Sequence, residues 1–228
     1  MKDYFDSDLV TIVEYDEIID SSRSAYTRPL ITGLHINKTG HSGGCTGAFS
    51  AKDSLNRKYY ITAGHCGNDY QHFDQGGSYI GYLFFRKYGG KGGDGGAIRL
   101  GSTIGTSTSM YGVNRKLWAV STPHNFFADN WGDVVCKTGA YTGITCGQIV
   151  NTSYTFYING SRFEDMRLAT YSQTGGDSGS LVYENFGNDY AVIHGINKGV
   201  NGTGHSVYTY AYNFLSHYSL SAITESGF

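Results

Sequence analysis

Proline and charge are the scarce ingredients of this chain. Only 2 of its 228 residues are proline and 16% are charged, with a formal net charge of -2. That balance gives no footing for nucleic acid or an anionic membrane surface as a partner. No apolar run approaches the roughly 20 residues needed to cross a bilayer, so no membrane span is expected. The N-terminus, Met1-Lys2-Asp3-Tyr4-Phe5-Asp6-Ser7-Asp8, has no apolar core, so no signal peptide is read in this chain. Four cysteines occur, Cys45, Cys66, Cys136 and Cys146, and no two form a C-x-x-C pair. That spacing argues against the common zinc and dithiol motifs and for two disulfides, hence a secreted protein in an oxidising compartment.

Glycine (33) and tyrosine (20) are abundant. Strand-favouring residues fall in short runs separated by Gly, Ser, Thr and Asn, the pattern of an all-β protein with many turns. Candidate strands before residue 110 are Leu30–Ile36, Cys45–Ser50, Lys58–Thr62, Tyr79–Phe85 and Ala97–Leu100. Those after it are Leu117–Ser121, Asp133–Lys137, Thr145–Val150, Tyr154–Ile158, Met166–Ala169, Ser180–Tyr183, Ala191–Gly195 and Ser206–Tyr210. Near the C-terminus, Tyr212–Leu220 has apolar residues near helical spacing, which predicts a short closing helix with Asn213 as its cap. Residues 1–29 are acidic and contain one strand-like run, Leu9–Val13. They read as an extension, a propeptide remnant or a surface strap, with a solvated tail as the alternative.

Three stretches carry chemistry. In Thr174-Gly175-Gly176-Asp177-Ser178-Gly179-Ser180, glycines flank a serine and give the backbone the freedom for a tight turn with converging N–H groups. A serine hydroxyl needs a base to become a nucleophile. In Tyr59-Tyr60-Ile61-Thr62-Ala63-Gly64-His65-Cys66-Gly67, an apolar strand enters a small-residue turn and presents a histidine beside a cysteine. The other seven histidines lack such a frame and are assigned surface or packing roles. In Gly92-Gly93-Asp94-Gly95-Gly96-Ala97, an aspartate enters a strand from a glycine loop, where a carboxylate can accept an imidazole N–H. A zinc site from His41, Cys45, His65 and Cys66 is the competing reading, with the right ligand types but no common spacing.

Together these stretches resemble the chymotrypsin-like serine proteases, and within them the bacterial branch of streptogrisins and α-lytic protease. Ile61–Gly67 is similar to the histidine motif, Gly175–Gly179 to the serine motif and Asp94–Arg99 to the aspartate segment. Val135–Gly147 resembles the disulfide loop of the bacterial branch. The match runs from about Leu30 to the C-terminus.

The resemblance implies two packed six-stranded antiparallel β-barrels, residues 30–110 and 111–228. It implies disulfides Cys45–Cys66 and Cys136–Cys146, and no cofactor or metal. His65 would be the general base, Asp94 its orienting carboxylate and Ser178 the nucleophile. The N–H groups of Gly176 and Ser178 would form the oxyanion hole. Lys137 would pair with Asp177 to order that hole. Ser172 would lie at the base of the primary pocket, with Gly199 and Val200 on one wall and His205 or Ser206 opposite. No aspartate occupies the base, so apolar, small-to-medium P1 residues are expected, where P1 is the substrate residue before the cleaved bond. The alternatives are a glutamate preference through His205 or Lys198, a self-processing protease, and a catalytically silent binding homologue.

Two departures from the resemblance stand out. Ser180 replaces a second glycine, and Gly195-Ile196-Asn197-Lys198-Gly199-Val200 replaces a Ser-Gly-Gly-type strand. The latter brings a lysine near the support of Asp94. The expected partners are polypeptide substrates and protein inhibitors, met by a monomer.

Overall fold

A computed structural model describes residues 22–226. In chain order the first strands are β1 (Leu30–Thr32), β2 (His35–Lys38), β3 (Cys45–Thr46), β4 (Ser50–Lys52), β5 (Lys58–Thr62), β6 (His72–Gln75), β7 (Ser78–Tyr88), β8 (Gly90–Lys91) and β9 (Asp94–Leu100). They continue as β10 (Thr106–Met110), β11 (Lys116–Val120), β12 (Val134–Gly139), β13 (Gly143–Ile158), β14 (Ser161–Ala169), β15 (Leu181–Phe186), β16 (Tyr190–Val200), β17 (Ser206–Tyr210) and β18 (Ser221–Ala222). One helix, α1 (Ala211–His217), precedes β18, and a 3-10 turn spans Gly64–Cys66.

The strands form two hydrogen-bonded systems. In the second, β16, β15, β12, β13, β14 and β17 follow one another, and β17 pairs back onto β16 to close a ring. In the first, the order is β4-β5-β9-β7-β6-β2-β3. Strands β3 and β4 are the two ends of one bent segment. Gly47 N–H donates to Leu34 O at 2.9 Å, and Ala48 N–H to Ile61 O at 2.7 Å, so this segment bridges β2 to β5. Closure removes the edges that open sheets leave exposed. The expected division at residues 110/111 is crossed by the antiparallel pairing of β10 with β11, while β18 returns to β4.

Several expectations change in detail. Thr145–Val150 and Tyr154–Ile158, expected as two strands, are one 16-residue strand. The polar Asn151-Thr152-Ser153 between them is not a turn but a bulged stretch, with Ser153 N–H on Asn151 Oδ1 at 2.8 Å. Asn213 does not cap α1, whose N-cap is Tyr210; its amide donates instead to Asp165 Oδ2 at 2.7 Å. Leu9–Val13 lies outside the described residues. Residues 22–29 lie on the domain surface, where Gln75 Nε2 donates to Ala25 O at 2.7 Å and Arg23 Nη1 to Gly33 O at 2.8 Å. His194 is buried, held by Asp129 at 2.6 Å in a cluster with Arg167, which fits the packing role.

The main core joins both strand systems, from Ile36, Phe49 and Tyr60 to Leu181, Ile193 and Ile196. Phe214 of α1 fills the space where a side chain at Gly95 would stand. The Cys45–Cys66 disulfide ties β3 to the turn that carries His65. It closes a loop of sequence separation 21. Constraining a loop of that length contributes about 3 kcal/mol by chain entropy. The double variant Cys45→Ser/Cys66→Ser is therefore expected to lose about 3 kcal/mol in guanidinium unfolding under non-reducing conditions.

Candidate active site

His65 leaves the end of β5 on the 3-10 turn, and Asp94 is the first residue of β9, the strand beside β5. Strand pairing therefore delivers the two side chains to each other. His65 Nδ1 lies 2.7 Å from Asp94 Oδ2, and the His65 backbone N–H donates to Asp94 Oδ1 at 2.9 Å. Asp94 is fully buried, whereas a third of the His65 side chain is exposed. The backbone of Asp94 is fixed by Thr209, whose hydroxyl donates to Asp94 O at 3.0 Å and accepts from Asp94 N–H at 3.1 Å. Burial raises the Asp94 pKa. The bond and charge of His65, then those of Lys198, outweigh it and leave a net lowering.

Ser178 approaches from the other strand system, in the turn before β15. Two glycines shape that turn. Gly176 has φ +94, and a side chain there would meet the Tyr141 ring; Gly179 has φ +84, and one there would strike Thr62 and the Thr46 carbonyl. Ser178 and His65 line the same cleft, together with Cys45, Cys66 and His41. The Ser178 hydroxyl donates to the Lys198 carbonyl at 3.2 Å. The N–H groups of Asp177, Gly179 and Ser180 are bonded to the carbonyls of Thr174, Asn197 and Asp177. Among the described residues this leaves the N–H groups of Gly175, Gly176 and Ser178 without a protein acceptor. The Gly176 carbonyl is held by the Thr46 hydroxyl at 2.9 Å, which orients its peptide.

Asp177 is turned inward. Its carboxylate accepts from Tyr141 N–H at 2.9 Å, Thr142 N–H at 3.1 Å, Thr174 N–H at 3.1 Å and the Thr142 hydroxyl at 2.5 Å. Lys137 Nζ lies 3.4 Å from Asp177 Oδ2, with both side chains fully buried. The ammonium also donates to Thr142 Oγ1 and, at 2.9 Å, to Gly143 O. Burial pushes the Asp177 pKa up, but the Thr142 and Tyr141 bonds and the Lys137 charge bring it below the usual carboxylate value.

The cavity beside Ser178 is lined by Gln173, Thr174, Gly175, Gly199 and Val200. Ser172, His205 and Ser206, expected on the pocket, lie outside it. Ser172 is exposed and its carbonyl accepts from Thr145; the Ser206 hydroxyl is buried against Tyr171 O at 2.6 Å; His205 is tied to Thr203 at 3.0 Å. The sequence reading missed Gln173. Its Oε1 accepts from Asn197 Nδ2 at 2.7 Å, and Asn197 is fixed by Tyr171 OH at 2.9 Å and by Asp177 O at 3.1 Å. Among the described residues the Gln173 Nε2 donor has no partner. Only the Thr-Gly-Gly run after it hinted at a pocket wall. The zinc reading falls, because Cys45 and Cys66, beside His65, are joined in a disulfide and have no thiolate to offer a metal.

No family model matches the chain, and no curated protein matches it significantly in sequence. Solved structures do. Protease A of Thermobifida fusca aligns at TM-score 0.70 with 22% identity, over 85% of this chain and 98% of its own. A Nocardiopsis protease aligns at TM-score 0.68 with 23% identity, over 85% and 98%. A glutamic acid specific serine protease aligns at TM-score 0.70 with 22% identity, over 85% and 100%. The fold is that of the chymotrypsin-like serine proteases.

The buried carboxylates make the site acid-sensitive. Because the folded pKa values of Asp94 and Asp177 are lowered, their contribution to stability is full above the unfolded carboxylate range and is lost as pH falls through the folded values. Lys137→Met leaves the Asp177 charge buried beside an apolar stem. It is expected to cost about 3 kcal/mol in urea unfolding at neutral pH, with a smaller cost in acid where Asp177 is protonated.

Proposed function

We propose that this protein is a serine endopeptidase acting on polypeptides, with Ser178 as nucleophile, His65 as base and Asp94 as the orienting carboxylate. The observation that carries the reading is the His65 Nδ1–Asp94 Oδ2 contact of 2.7 Å in the cleft that Ser178 also lines. With Nδ1–H donated to Asp94, the His65 Nε2 is the free acceptor. The Ser178 hydroxyl leaves the Lys198 carbonyl, gives its proton to Nε2 and attacks the substrate carbonyl carbon. The tetrahedral oxyanion takes the free N–H groups of Gly176 and Ser178. His65 then returns the proton to the departing amine, leaving an acyl ester on Ser178 that water hydrolyses by the same steps in reverse.

The proposed division is a first barrel, residues 30–110, carrying His65 and Asp94, and a second, residues 111–228, carrying Ser178. The Lys137–Asp177 pair orders the oxyanion hole. The pocket formed by Gln173, Gly199 and Val200 takes small-to-medium uncharged P1 side chains. It offers no anionic side chain to a P1 Lys or Arg, and the Gln173 amide nitrogen is buried at its wall. Of the two cations named for the glutamate reading, Lys198 is paired with Asp94, and His205 Nδ1 lies 3.0 Å from the Thr203 hydroxyl. The disulfides suit an extracellular, oxidising setting, in which the protein acts as a monomer. Among the described residues no helix is long and apolar enough to cross a membrane.

Fluorophosphonate labelling with mass mapping tests the reading. The label is expected on Ser178, and Ser178→Ala is expected to lose it together with about 10⁴-fold or more of peptidase activity. A folded, unlabelled protein would mean a silent binding homologue. The labelling rate is expected to fall on acidification, since a protonated imidazole cannot take the serine proton. In a P1-varied peptide library, uncharged residues are expected to lead and Lys and Arg to trail; strong cleavage after Arg would overturn the pocket assignment.

A further inference from the structure

The protease reading leaves one buried cation without a task. Lys198 lies on β16 where the pairing with β17 shifts register between Asn197 and Gly199. A bulge of this kind re-aims a side chain. The Lys198 side chain, 8% exposed, runs inward and its Nζ stops 2.6 Å from Asp94 Oδ2. That is the oxygen His65 Nδ1 approaches to 2.7 Å, while Oδ1 is occupied by the His65 backbone N–H. The ammonium also lies over the rings of Phe163, at 4.4 Å, and Tyr88, at 5.1 Å. Aromatic faces attract a cation without neutralising it. The carboxylate that orients His65 is thus shared with a fixed positive charge.

We propose that Lys198 is a positioning residue that sets the acid limit of the site by drawing on the Asp94 charge that would otherwise favour a protonated His65. The proposal rests on the protease reading and concerns the same imidazole. A lone buried carboxylate stabilises an imidazolium beside it. With an ammonium on the same oxygen, the pair Asp94–Lys198 carries no net charge, and a proton added to His65 meets a second cation across that oxygen. The neutral, base-competent imidazole therefore persists to lower pH than it would beside Asp94 alone.

Among the described residues no other charged side chain is bonded to Asp94, while Lys38 and His41 line the cleft that His65 shares. From β7, Arg86 donates to the Gly64 carbonyl at 2.9 Å, and Tyr88 faces the Lys198 ammonium. From β14, Arg167 is paired with Asp165 and Asp129. On β16 itself, His194 is held by Asp129. β17 contributes only the Thr209 hydroxyl to Asp94, and the charges acting on Asp94 are those of His65 and Lys198.

The test reads His65 directly, by NMR titration of carbon-13-labelled histidine in the Ser178→Ala background, so it needs no activity. The resonance is assigned by its loss in His65→Gln. Lys198→Met is expected to raise the His65 titration midpoint by about 1 pH unit or more. Lys198→Ser, which removes the charge with a small polar side chain, is expected to raise it similarly, and Lys198→Arg to leave it close to wild type. In the Ser178-intact protein, the acid limb of fluorophosphonate labelling is expected to move up by the same interval. If Lys198→Met does not fold, the Lys198→Ser and Lys198→Arg pair decides the question. Folded charge-removing variants with an unmoved midpoint would reduce Lys198 to a structural prop and overturn the proposal. Absence of label on wild-type Ser178 would sink the protease reading instead, and the NMR midpoints would still judge Lys198.

Discussion

A carboxylate with no solvent exposure must have its charge met from within the protein, and Asp94 imposes that requirement on everything around it. Its backbone is clasped by Thr209, one oxygen by the His65 main chain, and the other by His65 Nδ1 and Lys198. These groups come from β17, the 3-10 turn and β16, so elements of both strand systems converge on one side chain. An unmet charge at this depth would cost several kcal/mol. The closed rings make the convergence reproducible. β5 and β9 pair in fixed register, with Thr62 opposite Gly96, and so the turn after β5 always arrives beside the start of β9.

The parts of this arrangement that are local in sequence were legible from it. The glycine turn around Ser178 and the small-residue turn around His65 depend on neighbours a few residues away, whereas the cysteine pairing, across 21 and 10 positions, was legible only through the family resemblance. Strands Lys58–Thr62 and Ser206–Tyr210 have the bounds their composition predicts. The reading weakened where a polar stretch sits inside a strand. Asn151-Thr152-Ser153 has the composition of a turn, yet β13 runs through it because β14 supplies partners on both sides. Tertiary pairing overrode local preference there. Asn213 has the chemistry of a cap but finds Asp165, a residue 48 positions away.

The pocket was the least legible part, for a similar reason. Position relative to the serine turn predicted Ser172, His205 and Ser206 as lining residues, but each is spent on a nearby backbone or side-chain partner. Gln173 lines the cavity because a relay fixes it. Asn197 gives one amide hydrogen to Asp177 O and the other to Gln173 Oε1, so the glutamine must present its nitrogen elsewhere. That orientation depends on Tyr171 and Asn197, 26 positions apart, and no local motif announces it. A buried donor left over by such logic is costly unless something fills its bonding capacity.

The site holds two buried lysine–aspartate pairs, and they are built differently. Asp177 accepts four bonds from Tyr141, Thr142 and Thr174, so its charge is largely met before Lys137 is counted, and Lys137 stands off at 3.4 Å. That pair holds the shape of the turn that carries Ser178, and the proposed mechanism does not need its charge to change. Asp94 has fewer donors, and two of them, His65 and Lys198, compete for one oxygen. There the balance of charge matters, because in the proposed mechanism the imidazole gains and loses a proton in every cycle. Burying a pair of charges is often no more stable than burying apolar groups of the same size. Stability is thus a weak account of why a lysine stands at position 198, and control of the charge seen by His65 is the stronger one.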